Sequence, residues 1–379
     1  MLEQENFSTC QFCSEVSKAN GEDPIGTAAT VDCWLVVEMA PPWTEKTFKE
    51  DLRIVPLLEL FKQLFLKQGI AIRPILIAPD LEYSKPGSGR VIFYKRPQAQ
   101  FAQFSKQEFV LPEADVPRLA TAILRHLLKQ PNELDSFQEF RQESGHIREI
   151  LICTHGNVDV ACSRFGYPIY KKLREDYAGE WNPEGSERRI DPLPELRVWR
   201  CSHFGGHKFA PTLIDLPDGR YWGHLEPEIL DILIYRQGNL SKLRSHYRGW
   251  SGLYKHEQIA ERSLWEKEGW DWLSRDISGR TRSKGLRGIK RYLYPLLKSI
   301  PLKRSRAFAE LWTQDAEWAE VQIQCSHPER ETQTVYDVRI EAFGQVTTAA
   351  RSSKAGKNIE LVTVPQYRVT HLSNRLQPL

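Results

Sequence analysis

The chain has 379 residues, of which 41% are hydrophobic, 27% charged and 11% aromatic. That balance belongs to a globular protein in water, and at roughly 150 residues per domain it leaves room for two or three compact units. No apolar run reaches the roughly 18 residues of a membrane-spanning helix, and a net charge of +3 is too small for a polyelectrolyte. Met1 to Phe12 carries two glutamates and no basic residue, so it does not read as a signal or transit peptide. Seven cysteines are too few for a disulfide scaffold, and an odd number cannot pair fully. They point to a reducing, cytoplasmic setting, where clustered cysteines bind metal or do redox chemistry.

Val31 to Val37 is rich in β-branched residues and reads as a strand. Leu52 to Phe65 has apolar residues at helical spacing, and Gly69 ends that helix. Strands at Ile70 to Ile77 and Val91 to Tyr94 follow, then a helix from Ala114 to Leu128. The middle of the chain repeats this order. A strand at Arg148 to Ile152 precedes a helix at Phe165 to Tyr177, and Leu196 to Arg200 is a further strand. Thr212 to Leu216 and Tyr221 to Gly223 flank Pro217-Asp218-Gly219-Arg220, a hairpin signal, and Pro227 to Arg236 is an amphipathic helix. The expected fold is therefore α/β, with two tandem thioredoxin-like β-α-β-β-α units at residues 1–140 and 145–240. A C-terminal extension over 241–379 has a basic helical segment and then strands at Trp318 to Cys325, Thr334 to Ala342 and Ile359 to Tyr367. Ser352 to Lys357 reads as the loop before the last strand.

Two loops hold the residues that carry chemistry. Cys153-Thr-His-Gly-Asn-Val-Asp-Val-Ala-Cys162 follows a strand and leads into a helix. Cys201-Ser-His203-Phe-Gly-Gly-His207 follows another strand, and its two glycines permit left-handed backbone and a close approach to a cofactor. In a thioredoxin-like sheet both loops leave by the same edge, which brings two cysteines and two histidines together. Two thiolates and two imidazoles suit tetrahedral zinc or a [2Fe–2S] cluster with mixed ligation. The histidine spacing is usual for zinc, whereas the eight residues between Cys153 and Cys162 fit something larger than one ion. The residues alone leave cluster, zinc and a metal-free packing role all open.

Cys153-x8-Cys162 followed by His203-x-Gly-Gly-His207 resembles the signature of the sucrase/ferredoxin-like family, also described as thioredoxin-like ferredoxins. The segment from His203 through Pro211 to Gly223 is also similar to all-cysteine thioredoxin-like ferredoxins, which have a Cys-x3-Cys pair where this chain has its histidines. Phe12-Cys13-Ser14 and Pro24-Ile25-Gly26-Thr27-Ala28 match the family's opening, and the likeness spans about residues 7–240. The resemblance implies a [2Fe–2S] cluster, with Cys153 and Cys162 on one iron and His203 and His207 on the other. Its other name implies sucrose cleavage. Glycoside hydrolysis needs two carboxylates flanking a sugar site, and no such pair is marked here, so an electron carrier is expected rather than an enzyme with its own substrate. Neutral imidazoles in place of thiolates raise a cluster's potential, and their outer nitrogens link reduction to protonation.

The other residues of these types have plainer readings. His155 is expected in solvent rather than as a supporting donor or substitute ligand, Asp159 as a loop cap rather than as a group that fixes a histidine tautomer, Cys201 as packing or a spare ligand, and His224 as structural. Cys10-x2-Cys13 has no strand before it and no second pair after it, so neither it nor nearby Cys33 is assigned chemistry. Cys325 is expected to be buried in a strand. Between Arg280 and Arg306 there are ten Lys or Arg and no acidic residue, which leaves −7 on the remainder of the +3 chain. This stretch is read as a solvated face, as a dock for an acidic redox partner or, least favoured, as a nucleic-acid or membrane surface. No nucleic-acid signature accompanies it.

Overall fold

Arg148 to Cys153 forms a strand buried along its whole length, because its apolar run Ile150-Leu151-Ile152 lies between layers and its two charged residues are paired inside. Arg148 donates two hydrogen bonds to the Asp215 carboxylate, and Glu149 accepts from Lys106 and from the Trp199 indole. Around this strand the computed structural model describes residues 12–44, 46–178, 195–326, 332–351, 353 and 359–378. Cys10 and all of the Ser352–Lys357 loop except Ser353 lie outside them.

In chain order the elements are α1 (Cys13–Ala19), β1 (Cys33–Glu38), α2 (Thr47–Glu50), α3 (Val55–Gln63), β2 (Ile72–Ile77), β3 (Ser88–Lys95), β4 (Ser105–Pro112), α4 (Val116–Leu127) and β5 (Arg141–Gln142). Next come β6 (Arg148–Cys153), α5 (Val160–Asp176), β7 (Leu196–Cys201), β8 (Leu213–Leu216), β9 (Arg220–Trp222), α6 (Leu230–Tyr235), β10 (Tyr247–Trp250) and α7 (Lys255–Glu268). The chain continues with β11 (Asp276–Lys284), α8 (Ile289–Ser299), α9 (Lys303–Trp312), β12 (Trp318–Ser326), β13 (Thr332–Ala349) and β14 (Leu361–Pro378).

The first ten strands make one mixed sheet in the order β10-β9-β8-β6-β7-β2-β1-β3-β4-β5, and β11 to β14 make a second, antiparallel sheet in chain order. Within the large sheet one pattern occurs twice. β1 is parallel to β2 and antiparallel to β3, which pairs with β4; β6 is parallel to β7 and antiparallel to β8, which pairs with β9. The two sets meet edge to edge, β2 antiparallel to β7 through Ile77 and Cys201. The α/β expectation holds at the level of a large mixed sheet with helices. The repeats share that sheet, and β10 extends it past residue 240.

β4 and β11 were not anticipated. β4 reads Ser-Lys-Gln-Glu-Phe-Val-Leu-Pro, too polar for a buried strand, yet its Glu108 is almost fully buried against Arg90, Lys106 and Arg197. β11 carries the first basic residues of the 280–306 run, which therefore begins as a strand. The helices follow their sequence more simply. α4 turns Val116, Leu119, Ala120, Ile123, Leu124 and Leu127 inward at helical spacing, with Pro117 in its first turn. Gly69, at φ +65°, closes the turn after α3 as its position suggests.

The faces of the large sheet carry different cores. Trp34 and Val36 of β1 face the core that also holds Cys153 and Cys162, whereas Cys33 and Leu35 face the other, with Leu57 and Phe109. Cys33 is thereby separated from the other described cysteines by the period of a strand. Cys325 is buried on β12, as expected. No helix among the described residues is long and apolar enough to cross a membrane.

Candidate metal centre

The end of β6 places Cys153, and the first turn of α5 places Cys162, both almost fully buried. α5 starts at Val160, earlier than the Phe165 expected, because the Asp159 side chain caps it by accepting the Ala161 amide at 2.8 Å. Gly166, one turn on, lets the helix lie against the end of β6: a Cβ there would sit 2.2 Å from the Cys153 carbonyl oxygen. The helix start is thus pressed onto the strand end.

The second loop leaves β7 beside the same strand end, where Cys153 and Cys201 are register partners. Ser202 is tied to the neighbouring β2 from both sides, its amide donating to the Leu76 carbonyl at 2.8 Å and its Oγ accepting the Leu76 amide at 2.9 Å. His203 Nδ1 lies 3.7 Å from Cys153 Sγ and 3.8 Å from Cys162 Sγ. Gly205 and Gly206, at φ +94° and +81°, turn the chain, and His207 opens a short 3-10 turn to Phe209. The His203 and His207 rings are then 5.9 Å apart between centroids. All four residues singled out in the sequence converge here.

They do not converge symmetrically. Cys153, Cys162 and His203 offer donor atoms all within 4.8 Å of one another, while His207 groups in the same way with Cys13 and Asp159. His207 Nδ1 is 3.1 Å from Asp159 Oδ2 and 3.3 Å from Cys13 Sγ. The thiols themselves are not equivalent. A hydrogen bond from Cys162, with His203 alongside, holds the Cys153 thiol well below its usual pKa, and the same bond with burial pushes Cys162 well above. Burial raises Cys201, and also Cys13, which is pushed up to about 12.

Beneath the histidine loop lies Arg248 of β10. Its guanidinium donates to the Thr27 hydroxyl at 3.1 Å, the Thr27 carbonyl at 3.0 Å and the Gly205 carbonyl at 3.1 Å. Burial lowers its pKa to about 10, with Tyr221 and the two thiols opposing that fall and Arg73 adding to it. Gly206 makes room for it, since a Cβ there would come within 2.1 Å of the guanidinium.

His155 is not in solvent. Its Nε2 lies 2.9 Å from the Trp43 carbonyl, and its Nδ1 accepts the His203 amide at 3.2 Å, so it braces one loop against the other. Asp159 does cap its loop, and it also faces a histidine. His224 is buried beside Ser17. Arg248, Cys13 and Ser353 were not recognised as parts of the site. Each lies tens to hundreds of residues from its partners, and no local motif marks a buried arginine or a bracing serine.

These features define a mixed α/β protein in which two loops at a strand junction gather thiols and imidazoles into a candidate transition-metal centre. The family model described as sucrase/ferredoxin-like matches residues 24–249, more than half of the chain, and the protein belongs to that family. No match was found among curated proteins or among solved structures.

Proposed function

We propose that the chain holds a [2Fe–2S] cluster on Cys153, Cys162, His203 and His207 and serves as a one-electron carrier. The observation that carries this reading is the gathering of two buried, unpaired thiols and His203 within 4.8 Å, with His207 as the adjoining imidazole. Two soft thiols beside two imidazoles fit iron–sulfur ligation, and such a cluster supplies reversible one-electron transfer when bound. The protein's part is to hold and bias. Cys153 is already poised to lose its proton, and the Arg248 cation beneath the loop offsets the negative charge of thiolates. Protons carried on the imidazole ring nitrogens that face away from the metal would link the potential to pH. A potential that stays flat between about pH 6 and 10 would remove that link.

The repeated strand pattern supports reading 1–140 as a degenerate thioredoxin-like domain, 145–240 as a thioredoxin-like ferredoxin domain and 241–379 as an extension. A cytoplasmic, reducing setting suits the free thiols. The electron donor or acceptor would be an acidic protein docking on the exposed part of the 280–306 segment, where Arg287, Arg291, Lys303 and Arg304 are open to solvent.

Anaerobic purification decides the matter. About two irons and two acid-labile sulfides per chain, with visible charge-transfer absorption, are the expected result. A colourless protein holding one zinc on the same ligands overturns it in favour of a structural site, and release of glucose from sucrose would restore a hydrolase. Cys153→Ser or Cys162→Ser should abolish the absorption. His203→Cys should keep it and lower the potential, because a thiolate adds negative charge.

A further inference from the structure

Asp159 has no solvent exposure, and each of its carboxylate oxygens is met by donors. Oδ1 accepts the Ala161 amide at 2.8 Å. Oδ2 accepts the Ser353 amide at 2.7 Å and the Cys13 thiol at 3.2 Å, and it lies 3.1 Å from His207 Nδ1. With amide donors on both oxygens and the Cys13 thiol on Oδ2, the carboxyl group is placed as an acceptor on every side. An accepting oxygen 3.1 Å from an unprotonated ring nitrogen would set lone pair against lone pair. Nδ1 must therefore carry the proton, and Nε2 is left as the donor nitrogen of His207. His203 has the opposite arrangement, with Nδ1 turned to the two thiols.

We propose that Asp159, held in place by Cys13 and Ser353, is a positioning residue that fixes His207 in its Nδ1–H tautomer and so presents Nε2 to the metal. This rests on the reading above for His207 as a ligand, but it concerns how that ligand is set. A carboxylate that accepts from a ligating imidazole orients the ring and raises its basicity. The thiol and the amide that share Oδ2 limit how much of the carboxylate's charge His207 receives.

Both holding residues come from outside the matched segment of 24–249. They are linked to each other, since the Cys13 amide donates to Ser353 Oγ at 2.7 Å. The Ser353 carbonyl meets the Val160 amide at 3.4 Å, at the first residue of α5. Farther along, α1 is joined to the long β13–β14 hairpin by Asn20, which donates to the Thr347 carbonyl at 2.6 Å, and by Glu22, which accepts from Thr348. Glu22 also pairs with Lys208, next to His207. Residues 13–22 and 347–353 thus meet each other beside the histidine loop.

Two measurements on the full chain test this. With histidine nitrogens labelled and metal removed by chelation, two-bond nitrogen–proton correlation should show His207, assigned through its loss in His207→Gln, as a single Nδ1–H tautomer. Asp159→Asn keeps the helix cap, because asparagine caps as well as aspartate, and should lose that single tautomer. In the metal-loaded protein at fixed pH, Asp159→Asn should shift the potential upward, because the ring becomes less basic. Cys13→Ala should shift it downward, because Asp159 gives more of its charge to His207, and Cys13→Ser should return it toward the parent value. A structural disturbance alone would not give shifts of opposite sign. His207 retaining Nδ1–H in Asp159→Asn, or Cys13→Ala and Asp159→Asn moving the potential together or not at all, would overturn the proposal. A protein isolated without iron removes the cluster reading, while the tautomer measurement still decides the role of Asp159.

Discussion

Arg248 shows what one buried side chain can do for a loop that has no secondary structure of its own. Its three hydrogen bonds join Thr27, near the start of the chain, to Gly205, between the two histidines. Replacing it by Leu leaves the Thr27 and Gly205 carbonyls without that donor, at about 1–3 kcal/mol for each buried group so abandoned. Arg248→Leu should therefore lower unfolding free energy by about 3 kcal/mol, read by chemical denaturation, and should lower the potential because a cation near the thiols is lost. An unchanged denaturation midpoint would show that the loop holds itself. At this scale the two loops that bring Cys153, Cys162, His203 and His207 near one another were legible, because their spacing and their strand-end positions are local properties. Arg248 was not, because its partners are contributed by segments remote in sequence.

At the scale of elements, the site depends on how α5 meets β6. Helix propensity favours Ala over Gly by about 1 kcal/mol, so Gly166→Ala on propensity alone would stabilise the protein. The Cβ would stand 2.2 Å from the Cys153 carbonyl oxygen, a backbone atom that cannot turn aside. Sterics therefore wins. Gly166→Ala is expected to lower the thermal midpoint and to cut metal content per chain, by moving Cys162 away from Cys153; a rise in the midpoint would refute this. Element order was largely readable from apolar periodicity, because most strands bury residues that look apolar. β4 escaped because its buried Glu108 is neutralised by Arg90, Lys106 and Arg197, and compensation of that kind is visible only in three dimensions.

At the scale of the molecule, the charge asymmetry of the sequence is answered in part by ion pairs within the chain. Lys284 pairs with Glu310, Lys290 with Asp315, Arg306 with Glu257 and Arg287 with Glu317, so acidic residues outside the 280–306 run answer several of its cations. Two buried histidines make stability depend on pH. Burial, with His246 next, lowers His224 to about 3, and burial with Lys284 and Lys255 holds His256 well below its usual value. A histidine with a folded pKa below the unfolded one binds its proton only on unfolding. The stability it protects is present in full above about pH 6.5 and is lost as pH falls toward the folded value. His224 alone should cost about 2 kcal/mol at pH 5 relative to pH 7.5, checked by denaturant titration at both values. A midpoint that does not move would contradict its burial as a neutral ring.

The α/β order, the two loops of cysteines and histidines and the family membership were written in local sequence, in periodicity, glycine placement and the spacing of thiols and imidazoles. Only the tertiary structure joined the two repeated strand sets into one sheet. It also set His203 toward the thiols and His207 toward Asp159, and brought Cys13 and Ser353 together at the same carboxylate. Spacing along a chain determines which residues share a loop. Which way each ring nitrogen faces, and which distant group meets it, depends on packing between segments that the sequence holds far apart.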